Sequence, residues 1–172
     1  MLTTAQPGLV AAAAEQRDGY EEMARQLRTL AMTLNAMAED YEACPQSLDG
    51  AISAGGESGH VETVIMHVYE LMKHRVLGEE SPLRANPEVW ASFQGQQPEF
   101  IAFFGSARIA LEMYGEILRM YRQVSSQAAY GARPGELDGV RRDKHVQVEE
   151  RRHCITAIRE FSGKFTAMLA VL

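Results

Sequence analysis

The chain has 172 residues, a net charge of −6, 46% hydrophobic and 23% charged residues. Those values fit one globular domain with a sizeable core and exclude whole-chain disorder. An acidic total also excludes a general nucleic-acid binder, which needs a dominant cationic face.

The first element is read from YEEMARQLRTLAMTLNAMAEDYEAC at 20–44. Tyr20, Leu27, Leu34 and Tyr41 fall at heptad position a, and Met23, Leu30, Met37 and Cys44 at d, so one apolar stripe runs along one side of a helix. Ala24, Ala31 and Ala38 fall at e, where small side chains let a neighbouring helix come close. The helix is expected over about 8–44, ending before Pro45. Residues 45–59, PQSLDGAISAGGESG, hold four glycines and a proline and read as a loop.

A second helix is expected over about 60–77, with Val61, Val64, Val68 and Leu71 as its stripe and Ile65 and Met72 widening it. It stops in GEESP at 78–82. NPEVWASFQG then predicts a short helix over about 86–94: Asn86 as N-cap, Pro87 at the first position, Glu88 in the first turn and Gly95 as the stop. Pro98 is read as the start of a third long helix over about 98–130. Its a and d positions are Phe100, Phe103, Ala107, Ala110, Tyr114, Ile117, Tyr121 and Val124. Phe104, Leu111 and Leu118 at e, with Met113 and Met120 at g, make a face wide enough for neighbours on two sides. The fourth helix falls within about 136–172, regular in its latter half at Cys154, Ile158, Phe161, Phe165, Met168 and Leu172.

No period-2 pattern of useful length occurs. The expected fold is all-α: one domain over 1–172, an elongated antiparallel four-helix bundle with one extra short helix. No window approaches the ~18 apolar residues of a membrane span. The N-terminus lacks a basic region before its short apolar run, and two cysteines make no disulfide framework. A cytoplasmic protein is expected.

Charge is uneven along the chain. Residues 1–60 carry three Arg and nine acids, whereas residues 131–172 carry eight bases and six acids. The basic end holds Arg141, Arg142, Lys144, Arg151 and Arg152, interleaved with Asp143, Glu149 and Glu150. It reads as a solvated face, or as one that meets an anionic partner.

The groups that could carry chemistry do not converge. His60, His67 and His74 are seven apart, about 10.5 Å per step along a helix, too far to share one ion. His67 with Glu70, or Glu70 with His74, could supply two ligands. Glu150 and His153 have the spacing of a di-iron carboxylate site, but one motif stands where two are needed, and Arg151 and Arg152 lie inside it. Cys154 and His153 are adjacent and point apart. AISAGGESGHV at 51–61 resembles a phosphate loop only in its glycines: no Lys or Arg is near, and Glu57 repels an anion. No catalytic residue, metal, cofactor or small-molecule substrate is therefore read from the sequence.

The aromatic cluster is the candidate surface. Trp90, Phe93, Phe100, Phe103 and Phe104 fall within fifteen residues. Ile101 and Ile109 lie outside the apolar line, so the outer face of FIAFF at 100–104 needs a cover. Trp90, Phe93, Phe100, Ile101 and Phe104 are accordingly the candidate interaction surface, unless the short helix folds over them as part of the core.

The function read from these features is a non-enzymatic helical interaction or scaffold module, self-associating or part of a larger assembly. Its partner is another protein or a second copy, and not nucleic acid. The alternative is an anionic membrane surface: the long helices around the tip GARPGELDG, over about 98–172, resemble in architecture a BAR domain of the sorting-nexin kind. That likeness implies a homodimer with a cationic surface, from which a chain of charge −6 departs. TTAQPGLVAAAAEQ and YRQVSSQAA are similar in texture to PE proteins, which implies export. Yet no Tyr here has Asp or Glu four residues on. A metal-binding helical bundle is the remaining reading.

Overall fold

The computed structural model describes residues 7–43, 61–129 and 144–172. Four long helical segments account for them. Helix α1 is Pro7–Ala43. Helix α2 covers 61–71 and opens into one π-helical stretch, Met72–Val76. A 3-10 turn, Pro82–Ala85, leads to α3, Pro87–Ala129. Helix α4, Lys144–Met168, closes with a 3-10 turn at Leu169–Val171. No strand occurs among the described residues, and the fold is an all-α bundle. None of their helices is long and apolar enough to cross a membrane.

The apolar stripes bury one another. Leu27 and Leu34 of α1, Val68 and Met72 of α2, Phe93 and Phe100 of α3, and Phe161 and Phe165 of α4 belong to one core. Each fully buried side chain of this size contributes about 1.5–3 kcal/mol. Helix α4 runs antiparallel to both of its main neighbours. On α1, Asn35 meets Ser162 and Thr166 while Glu42 meets Arg151 and Arg159. On α3, Glu99 meets Lys164 and Phe104 meets Phe161.

The stripe on α1 is rotated from the expected seam. Ala24, Ala31 and Ala38 are buried, whereas Leu30 and Met37 are only half-buried. At Ala31 and Ala38 the alanine side faces α4, as the neighbouring contacts of Asn35 and Glu42 show. Of the d residues Met23 is buried, and Leu30 and Met37 are turned toward the edge. Tyr41 and Cys44 lie outside the side chains described.

One expected boundary is corrected. The short helix at 86–94 and the long one at 98–130 are a single helix, with Pro98 inside it. The start is as read: Asn86 Oδ1 accepts the Val89 N–H at 3.3 Å, and Pro87 takes the first position. Neither Gly95 nor Pro98 ends it. Pro98 removes one backbone hydrogen bond and crowds the Gln94 carbonyl, a cost of about 3 kcal/mol. Burial outweighs that cost. Val89, Phe93, Phe100, Phe104, Ala107, Leu111 and Tyr114 are all buried, and steps of four, seven, four, three, four and three keep them on one face. A break at 95–98 would turn one half of that face out of the core.

Helix α2 ends differently. The Leu77 N–H donates to Met72 O at 2.8 Å, five residues back. Val68, Met72 and Val76 are all buried. At four-residue spacing an α-helix drifts about 40° per step, and the wider turn offsets that drift. Gly78 follows directly, and a Cβ there would sit 2.3 Å from the His74 carbonyl oxygen. Beyond it, Ser81 Oγ accepts the Leu83 N–H at 3.2 Å and seats the fully buried Leu83.

Two glycines should therefore respond in opposite ways. Gly78→Ala should destabilise by about 1–3 kcal/mol, since backbone and not a side-chain tip must yield. A Cβ at Gly95 meets nothing within 4 Å, so Gly95→Ala should stabilise by about 0.5–1 kcal/mol. Urea denaturation followed by circular dichroism measures both.

Candidate functional site

The expected aromatic surface divides in two. Phe93, Phe100 and Phe104 are buried, which corrects their reading as an interaction surface. The inner side of FIAFF, Phe100 and Phe104, packs on α2 and α4, and among the described residues no folded-back short helix covers its outer side. Phe100 packs on Phe161 and Phe165 with ring centres 5.2 and 6.2 Å apart. Tyr69 stacks on Phe104 at 3.8 Å between ring centres. Trp90 is half-buried, and its ring carries the Arg84 guanidinium at 4.3 Å. Arg84 Nε also donates to the Gly78 carbonyl at 3.3 Å, which ties the α2–α3 connection across the indole.

Ile101 remains on the surface. Of the five large apolar side chains exposed among the described residues, three lie on α3: Ile101 at 43%, Ile109 at 59% and Met113 at 48%. With Gly105 they form one row at four-residue spacing, pointing away from the core. A Cβ at Gly105 would meet nothing within 4 Å, so the row has an open notch. A parallel row of charge runs beside it. Arg108 Nε and Glu112 Oε1 pair at 2.9 Å, both about half exposed, and Glu116 pairs with Arg119. The sequence marks Ile101 and Ile109 as lying off the apolar line. It does not single out Met113, which the heptad count assigns to the edge of the inward face.

The basic run on α4 is drawn into the fold. Arg151 is buried, and its Nη2 donates to the Glu42 carbonyl at 3.3 Å. That oxygen belongs to the last turn of α1, where carbonyls lack helical partners and the helix dipole attracts a cation. Arg151 thus departs from the expected anionic-partner face because it caps another helix. Arg152 is exposed and pairs with Glu149 at 3.1 Å. Arg159, absent from the expected face, pairs with the Glu42 carboxylate. Arg141 and Arg142 lie outside the described residues, and Lys144 is placed only as the first residue of α4.

The remaining candidates stay apart. His74 Nε2 lies 2.9 Å from Glu70 Oε2 on the exposed side of α2. His67 lines a shallow groove of about 390 Å³ with Leu30, Arg25 and Glu22 of α1. Hydrogen bonds from Arg25 and then Gln26 hold the Glu22 carboxyl below its ordinary value. Their stabilising effect is present above the unfolded value and is lost as pH falls through the lowered one. Cys154 is buried beside an exposed His153. Among the described residues, no group of three or more His, Cys, Asp or Glu side chains is placed to hold a metal ion. His60 and the glycine-rich loop before Val61 lie outside those residues.

No family model, curated protein sequence or solved structure matches the chain. The chemistry the described surface offers is therefore read from its own residues: an apolar row with a charged border.

Arg151→Ala should cost about 1–3 kcal/mol, because a carbonyl in a part-buried contact at the end of α1 loses its donor. Arg152→Ala, at the next position but solvent-exposed, should stay within about 0.5 kcal/mol. Denaturant midpoints of the two variants separate a capping role from a surface role.

Proposed function

We propose that the protein is a non-enzymatic helical interaction module that associates with itself, in the cytoplasm, as part of a scaffold or assembly. The observation that carries this reading is the exposed row Ile101, Ile109 and Met113 on α3. Singly exposed apolar residues are ordinary on a soluble surface. Three on one outward helical face form a shared apolar strip, which supports a surface that a partner covers.

The interior gives the same direction of support. Long stripes are occupied by packing contacts, and polar groups near them are engaged structurally: Arg151 with α1, and Asn35 with Ser162 and Thr166. A BAR-like membrane reading would draw on the cations at 141–152, and Arg151 faces inward instead of toward a lipid surface.

Sedimentation velocity of the full chain over a wide concentration range tests the proposal. A reversible rise in weight-average mass is expected, with half-association in the micromolar range typical of small interfaces. A constant monomer mass up to the solubility limit would remove self-association. Pelleting with anionic vesicles at low salt would favour the membrane reading in its place.

A further inference from the structure

Resting on the self-association reading, we infer that the outer face of α3 pairs with the same face of a second copy, antiparallel, about a two-fold axis level with residue 110. The argument is charge self-complementarity. In a two-fold pair the same patch meets itself, so residue i faces j and j faces i. Arg108 and Glu112 lie equally far below and above residue 110 on one flank of the apolar row. An antiparallel copy therefore sets Arg108 of one chain against Glu112 of the other, twice. A parallel copy in register sets like against like, which is unfavourable. Both side chains are about half exposed and already lie together, so they exchange an intrahelical pair for an intermolecular one without a buried charge.

The apolar row fits the same axis. Ile109 is one residue from it, so the two copies of Ile109 meet at the centre. Met113 lies three residues above the axis and Gly105 five below. In the pair, Met113 of each chain stands within about 3 Å in height of the open notch at Gly105 of the other. A row at four-residue spacing is also the ridge that packs into the matching groove of a crossing helix. Ile101 closes the end of the contact. Occupation by a second copy thus satisfies charge, centre and notch together.

Charge-swap variants at these exposed positions test the pair in the full chain, with circular dichroism as the check of fold. Arg108→Glu and Glu112→Arg should each weaken self-association about tenfold, since each replaces two attractive contacts by two repulsive ones. Mixed one to one, the two variants should recover it, because a flank carrying two acids then faces a flank carrying two bases. The double variant R108E/E112R should recover it alone. Ile109→Glu should abolish association. If the wild-type chain stays monomeric, the pair and the self-association reading both fall. If it associates but Ile109→Glu and the single swaps leave its mass unchanged, only this face is overturned. If the singles dissociate and the mixture does not recover, the antiparallel register is overturned.

Discussion

The contact on which the bundle depends is the aromatic junction between α3 and α4. Phe100 and Phe104 meet Phe161 and Phe165, and Tyr69 of α2 stacks on Phe104. Aromatic pairs in such tilted and stacked arrangements add about 0.5–1.5 kcal/mol beyond their buried area. Because the rings interlock, α4 cannot slide along α3 without losing several at once. The junction also explains why α3 tolerates Pro98. Phe93 and Phe100 lie on either side of the proline, both buried in the same core. Ending the helix there would sacrifice one of them, at about 3–5 kcal/mol for a lost Phe, more than the proline costs.

A second constraint fixes α1 against α4, and it is polar. Ser162 is buried and its hydroxyl donates to Asn35 Oδ1, while Asn35 Nδ2 donates to Thr166 Oγ1 at 3.2 Å. The alanines of α1 provide closeness but little shape, since a smooth surface permits more than one register. A small hydrogen-bonded group that can be satisfied in only one alignment removes that freedom, as buried polar residues do in coiled coils. Arg151 and Arg159 add to this at the end of α1, where both meet Glu42. The acidic first helix and the basic last one are thus joined at specific atoms and not by a diffuse attraction.

Helix class and most inward faces are legible in the sequence because periodicity reports burial directly. Leu27, Leu34, Val68, Phe161 and Phe165 all stand on inward stripes in the sequence and are buried. What local reading misses is punctuation. Gly95 and Pro98 are stop signals at short range. The apolar frame running through them at steps of four and seven is the stronger signal, and it belongs to the tertiary structure. Arg151 is missed for a related reason. A cation in a basic run looks solvated until the end of another helix is placed beside it. Met113 is misassigned because a heptad drifts about 20° per repeat against a straight helix, so a position at the edge of the stripe at Phe100 faces outward two repeats later.

That same drift bears on why the outward face of α3 differs from the other surfaces. On α1 a large apolar residue is also exposed, Met32 at 73%, but it stands without a second such residue on that helix among those described. It needs no explanation. On α3 the row Ile101, Ile109, Met113 advances by four residues at each step, including Gly105, and follows the natural inclination of a packing ridge. An inward stripe in a long helix keeps to steps of three and four so as to stay facing one core. A row that holds strictly to four winds slowly round the helix and follows the slant along which a neighbouring helix packs. The neighbours within the chain, α2 and α4, already occupy the inward side. The exposed row therefore runs along the side of α3 that its own neighbours leave open, bordered by Arg108 and Glu112, and its slant is the one the proposed pairing of two α3 helices draws on.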